Sequence, residues 1–356
     1  MSQKIRVGIL YGGQSAEHEI SILSARNVLA ALDRGRFEPV LIGIDKTGKW
    51  LKQDEQQLLA SARDPRQVRV EPGLPAPVEA AAQQVDVVFP VLHGTLGEDG
   101  AMQGLLEVAG IPYVGAGVLG SAVGMDKDVM KRLLRDAGIP IADFRTVRRA
   151  RFDADPAGVC RDLHRLGFPL FTKPANAGSS VGVRKVRSED ELEDAVRFAL
   201  QFDSKAVVEQ GITGREIELA VLGGSPPTVS IAGEIVVEHA DGFYSYDAKY
   251  LDEHGARLIM PAPLADIDLA RAQALALSTF EVLECDGLAR VDLFFAPDGT
   301  FYVNEINTLP GFTAISMYPK LWALSGVPQT ELISRLLDLG LKRAGERAQI
   351  RANYGA

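Results

Sequence analysis

Cysteine is scarce: the 356-residue chain holds two, Cys160 and Cys285, far apart and with no His or Cys at ligand spacing. That excludes a disulfide framework and implies a reducing compartment. No charged-then-apolar leader is present, and no apolar run is long enough to cross a bilayer. A cytoplasmic protein with no membrane partner is therefore expected. Positive charge is also in deficit, with 38 Lys and Arg against 47 Asp and Glu, a net charge of −9 and a pI of about 5.2. Nucleic acid and acidic membranes are thereby excluded as partners, and any bound anion must be held by local donors. Repeats and low-complexity tracts are missing too. Hydrophobic residues make up 46% of the chain, enough for a full core, and the length fits two or three domains.

The chemistry is densest between Gly287 and Gly311, GLARVDLFFAPDGTFYVNEINTLPG. Asp298-Gly299 between two runs of β-formers is a hairpin signal. Taken as a two-residue loop, it sets Asp292 opposite Glu305 and Arg290 opposite Asn307. Side chains alternate along a strand, so these four share one face. Two carboxylates across a ladder repel, and a cation between them removes the conflict. Asp292, Glu305 and Asn307 offer hard oxygen ligands, which suit Mg²⁺ and not zinc. A merely solvated hairpin face fits less well, because the acids sit within apolar strands.

Other segments frame this hairpin. Ile5 to Tyr11 reads as a strand entering Gly12-Gly13, with a helix from Ser15 that Gly35 closes. Such a turn is a ligand-binding edge in α/β folds. Glu17 in the first turn either complements the helix dipole or receives a substrate ammonium. His93 follows the strand Val85 to Leu92 and is either packed or aimed at that edge. GIDKTGK at 43 to 49 matches seven positions of a P-loop, but Trp50 stands where Ser or Thr is needed, and a hairpin turn is the better reading. GAGVLG at 115 to 120 lacks the long preceding strand of a dinucleotide site. Asp126 caps a helix with Val129, Leu133, Leu134 and Ala137 as its apolar face. The loop after Lys173 contains a formal G-x-S-x-G, yet it continues as a strand and not as a helix, which favours a phosphate cover over a hydrolase elbow. Ser188 to Glu191 reads as a capping box. The segment 239 to 255 has no periodicity and reads as a functional lid carrying Lys249 and Tyr250.

GGQSAEHEIS, HGTLGEDG, MDK, KPANAGSSVG, FYSYDAKY, ARVDLFF and NEINTLPGFTAIS together resemble, in order, the ATP-grasp superfamily and, within it, the D-alanine–D-alanine ligases. The resemblance covers nearly the whole chain. It implies an α/β fold of three domains: an N-terminal parallel-sheet substrate domain at 1–126, a central domain at 127–220, and a C-terminal metal-binding domain at 221–356. Two antiparallel sheets would sandwich ATP. It implies ATP with two Mg²⁺ ions, or Mn²⁺ in their place, D-alanine as substrate, and a homodimer. Asp292, Glu305 and Asn307 would hold the metal. Lys127, Lys173, Ser179, Ser180 and Lys249 would hold phosphates, with Asn304 beside them. Glu209, Gln210, Ile212, Glu216 and Phe294 would hold adenosine. Glu17 and His93 would place the first substrate, Arg290 and Gly311 the oxyanion, and Ser316 and Met317 the second carboxylate. Glu17, Ser179 and Tyr250 would close the lid. Thr172 departs from the Val or Ile common in this family. The alternatives are another carboxylate–amine ligase of the superfamily, a serine hydrolase, or an NAD enzyme.

Overall fold

The first strand, β1 (Ile5–Gly12), is buried from Val7 onward and pairs in parallel with β2 (Phe37–Ile44) and β4 (Val87–Val91). A short β3 (Trp50–Lys52) turns back against β2, so the sheet order is β3-β2-β1-β4. The Lys46-Thr47-Gly48 turn joins β2 to β3 as a hairpin, which removes the P-loop reading. In this computed structural model residues 3–62, 64–78, 83–238 and 255–350 are described. Helix α1 (His18–Ala30) starts two residues beyond Glu17's neighbour Ala16, and Glu17 is its N-cap residue rather than part of its first turn. The helix stops at Ala31, well before Gly35. Helices α2 (Glu55–Ala60), α3 (Ala101–Val108) and α4 (Val118–Met125) complete the domain. The GAGVLG glycines lie at a domain contact. Gly115 takes φ +102°, and a Cβ on Gly287 would come within 2.9 Å of its nitrogen.

Helix α5 (Lys127–Asp136) leads into a second sheet. Its strands are β5 (Phe144–Arg148), β6 (Leu170–Pro174), β7 (Arg184–Val186) and β8 (Lys205–Gln210), all antiparallel, in the order β5-β8-β6-β7. Helices α6 (Arg149–Ala154), α7 (Pro156–His164) and α8 (Glu189–Ala199) cover it. At α8 the expected capping box is not formed. The Ser188 side chain makes no cap bond, and Glu191 accepts instead from the backbone N–H of Arg187 at 2.7 Å.

The third sheet is antiparallel, in the order β11-β10-β9-β12-β13. It contains β9 (Arg215–Leu222), β10 (Thr228–Val237), β11 (Ala256–Ile259), β12 (Leu288–Phe295) and β13 (Phe301–Asn307), with α9 (Asp266–Val282) packed on it. Thus β9, expected in the middle domain, lies at the centre of the third sheet, and the chain changes sheets at residues 211–214. Helices α10 (Met317–Leu324) and α11 (Gln329–Ala348) return to the N-terminal sheet. One core unites them: Phe312 meets Phe89 edge-on at 5.6 Å and Tyr318 at 5.6 Å.

Candidate active site

The β12–β13 hairpin pairs Asp292 with Glu305 and Arg290 with Asn307, as expected, but by a different route. Its loop holds three residues, since Phe295 pairs with Phe301 and Ala296 N–H donates to Thr300 O at 2.9 Å. This shifts the register by one. A bulge between Asp292 and Leu293 shifts it back. The extra residue is Asn304, so Asn304 and Glu305 both line the cleft between the second and third sheets.

That cleft has a volume of about 300 Å³. Lys127 and Lys173 enter it from the second sheet's side, and Asp292, Asn304 and Glu305 from the third. Gln210, Gly211, Ile212, Thr213 and Gly214 line it where the chain changes sheets, and Glu216 and Phe294 lie on adjoining strands. Gly214 fits there because a side chain would press on the Phe295 carbonyl at 2.6 Å.

Charges are matched across the hairpin. Arg290 grips Asp292 through Nε at 2.7 Å and Nη2 at 2.6 Å, and reaches Glu218 at 3.1 Å. Burial alone would lower the Arg290 pKa, but these acids raise it well above the usual arginine range. Asn307 Nδ2 donates to Asp292 at 3.1 Å. Lys127 lies 3.7 Å from Glu305 and donates to Ala177 O at 2.7 Å. Among the described residues no cluster of three or more His, Cys, Asp or Glu forms a protein-only cage. Two carboxylates and an amide, all hard oxygen donors, are what Mg²⁺ takes from a protein when phosphate oxygens complete its shell. The donor set therefore fits.

Helix α5 brings the cations, and it does so against its expected face. Met130 and Leu134 are buried with Lys127 and Lys131, while Leu133 is exposed. Asp126 caps the helix, accepting from Asp128 and Val129 N–H at 3.1 Å each, and pairs with Lys205 at 2.6 Å. Lys131 was not anticipated. It is 1% exposed and lies 2.8 Å from Glu209, which also pairs with Lys173. Burial would raise the Glu209 carboxyl, yet the two lysines hold it down at about 2. Burial lowers the Lys131 pKa against the pull of Glu209. The i, i+4 spacing from Lys127 to Lys131 was the available signal. Lysines so spaced are normally solvated, and only the cleft reverses that.

At the other end Ser179 donates to Glu17, linking the cover loop to the N-terminal domain. Ser179 and Ser180 hold φ of +49° and +58°, a region that non-glycine residues seldom occupy. The loop returns as β7 and not as a helix, which removes the hydrolase reading. His93 faces inward: Nδ1 donates to Leu309 O at 3.0 Å, and Nε2 lies 3.0 Å from Ser24 Oγ. Burial lowers its pKa. Glu98, also unanticipated, is buried and accepts from Gly94 N–H at 2.8 Å. Burial and Glu17 push its carboxyl up to about 8. A Cβ on Gly178 would lie 2.8 Å from Glu17 and 3.6 Å from Glu98, so the cover loop rests on both acids. Ser316 precedes α10 and accepts from Thr313 N–H at 2.9 Å, beside Gly311. The Met317 side chain is in the core. Lys249 and Tyr250 lie outside the described residues.

Known proteins resemble this chain over nearly its whole length. The family model described as D-ala D-ala ligase N-terminus matches residues 6–116, and that described as D-ala D-ala ligase C-terminus matches 133–338. The chain is 51% identical to the D-alanine–D-alanine ligase A of Chromobacterium violaceum, covering 96% of each. It is 50% identical to that of Escherichia coli strain K12, over 96% of this chain and 97% of the relative. Among solved structures, the D-alanine-D-alanine ligase from Coxiella burnetii superposes with TM-score 0.83 at 38% identity, covering 98% and 97% of the two chains. The VanG D-Ala:D-Ser ligase from Enterococcus faecalis gives 0.80 at 32%, covering 95% and 100%.

Proposed function

The chain belongs to the D-alanine–D-alanine ligase family, with an ATP-grasp fold, and from that premise we infer how its residues divide the work. It is an ATP-dependent ligase that joins two D-alanines, and its product, D-alanyl-D-alanine, enters peptidoglycan synthesis. We propose that the γ-phosphoryl group of ATP passes to the carboxylate of the first D-alanine, giving an acyl phosphate and ADP. The amine of the second D-alanine, having lost a proton, attacks the carbonyl, and phosphate leaves from the tetrahedral intermediate.

The observation that carries this reading is the cleft in which Asp292 and Glu305 face Lys127 and Lys173 across two sheets. Asp292, Glu305 and Asn307 would hold divalent cations, two Mg²⁺ in our reading, which when bound neutralise triphosphate charge. Lys127, Lys173, Ser179, Ser180 and Lys249 bind phosphates, with Asn304 orienting Lys173 through a 3.2 Å contact. Gln210, Ile212, Glu216 and Phe294 take the adenosine. Glu209 does so while neutralising Lys131 and Lys173. Glu17 receives the first ammonium, with His93 holding the loop behind it. Arg290 and the Gly311 N–H stabilise the oxyanion. Ser316 and the helix start at Met317 receive the second carboxylate. Tyr250, whose phenol never carries positive charge, favours an amine over a hydroxy acid as second substrate. A cytoplasmic homodimer is part of the proposal. Among the described residues no helix is long and apolar enough to cross a membrane.

The test is ADP release with ATP and Mg²⁺ against D- and L-amino acids, D-serine and D-lactate included. Turnover with D-alanine alone, giving the peptide, is expected. Preference for D-serine or D-lactate as second substrate, or D-alanine-independent ATP hydrolysis, overturns the assignment.

A further inference from the structure

Pro310-Gly311 lies between two residues whose backbone is hydrogen-bonded to the N-terminal domain. On one side, Leu309 O accepts from His93 Nδ1 at 3.0 Å. On the other, Phe312 N–H donates to Ser24 Oγ at 3.1 Å, and Phe312 O accepts from Asn27 Nδ2 at 3.0 Å. Three backbone groups flanking Pro310-Gly311, Leu309 O and both groups of Phe312, are thus bonded to side chains of the N-terminal domain. Proline has no N–H, so Gly311 carries the one amide donor between the two clamped residues.

The bond directions follow from the chemistry. Nδ1 of His93 faces a carbonyl and must carry the ring proton, so Nε2 of the neutral imidazole accepts from the Ser24 hydroxyl. That hydroxyl in turn accepts from Phe312. Ser24 and Asn27 lie three residues apart on one face of α1, the helix that Glu17 caps.

We propose that Ser24 and Asn27 are positioning residues that hold the Gly311 N–H on the oxyanion site. Through α1 they fix its place relative to Glu17, joining half-sites from two domains. This rests on the reading of Gly311 as an oxyanion donor. A misplacement on the order of 1 Å is enough to cost catalysis strongly, and single backbone contacts control displacements of that size.

The experiment uses the full chain with Asn27→Ala, Ser24→Ala and, as the conservative control, Ser24→Thr. Four quantities are read: kcat per folded molecule, KM for ATP, inhibition by a phosphinate dipeptide analogue tetrahedral at the reacting position, and amide hydrogen exchange over residues 309–313. Asn27→Ala and Ser24→Ala are expected to lower kcat and phosphinate affinity about tenfold. KM for ATP should stay within about twofold, exchange at 311–312 should quicken, and Ser24→Thr should restore activity. The double variant should lose less than the product of the single losses, since both clamp Phe312. Unchanged exchange in both alanine variants overturns the clamp itself. Quickened exchange with unchanged kcat and phosphinate affinity overturns the oxyanion role of Gly311 while leaving the clamp. A lowered melting temperature with unaltered kcat per folded molecule reduces the pair to structural support and overturns the proposal.

Discussion

Lys131, Glu209 and Lys173 form a buried row of cation, anion and cation under the cleft. Removing one partner of such a row strands a charge, whereas Glu305 faces solvent enough for a milder test. Glu305→Gln keeps the shape of the hairpin and removes one of two opposed carboxylate charges. The fold should persist, and turnover should fall by about 10² or more. ADP release across a Mg²⁺ titration, beside circular dichroism, checks both halves. Near-normal turnover at low Mg²⁺ contradicts the metal assignment. Glu98 yields a pH prediction. Its folded pKa of about 8 lies above its usual value, so the folded protein binds a proton that the unfolded chain releases earlier. Stability from this source is complete below about pH 4.5 and declines as pH rises through about 8. Glu17 and Lys127 are the charged groups acting on it. Glu98→Gln cannot titrate. Its stability relative to the unmodified protein should therefore climb between pH 5 and pH 9, on the order of 4 kcal/mol. Urea denaturation at pH 5, 7 and 9 measures this, and a pH-independent difference refutes it.

Among the elements, α5 is the one whose placement decides the most. Its helix-forming sequence is plain, but the rotation about its axis is not. Periodicity favours Val129 and Leu133 inside, and the structure buries Lys127 and Lys131. The rotation is held at its N-terminus, where Asp126 caps two N–H groups and pairs with Lys205 of β8, and Lys127 N–H donates to Ala175 O at 2.9 Å. Asp126→Ala removes the cap and strands Lys205 against Asp128 alone. The expected loss is about 1–2 kcal/mol of stability, with a raised KM for ATP because Lys127 is no longer aimed. Chemical denaturation and ATP saturation curves test the two effects separately. A stability loss with unchanged KM for ATP shows that the cap does not orient Lys127.

For the whole molecule, α11 ties the two ends of the chain together. Arg343 donates to Tyr113 O at 2.9 Å and to Gly115 O, stacks over the Tyr113 ring at 4.3 Å, and pairs with Asp286 at 3.4 Å. Gly340 lies where a Cβ would meet Tyr113 O at 2.7 Å. The cleft belongs to the second and third sheets, and the Glu17 site to the first. Loosening this dock should therefore separate the functions. Arg343→Ala leaves carbonyls unpaired at a cost of about 1–3 kcal/mol. It should raise KM for D-alanine more than KM for ATP, read from initial rates with each substrate varied. An equal rise in both argues that the domains do not depend on this contact.

Much was legible along the chain because the signals were local. The β1–α1 edge, the β2–β3 turn, the cover loop between strands and the opposed acids of the last hairpin all follow from alternation, glycine placement and turn residues over short spans. Even there, the Asp292–Glu305 pairing came out right for a reason alternation could not supply, since a three-residue loop and the Asn304 bulge offset each other. What only the tertiary structure decided is where charge is buried and which atoms are already used. His93 spends both ring nitrogens inside the protein, Glu209 is claimed by Lys131 and Lys173, and β9 joins the third sheet and not the second. Each of these depends on partners roughly 30 to 200 residues away along the chain, and local propensity carries no information over that distance, because burial is set by what packs on the residue and not by its neighbours in sequence.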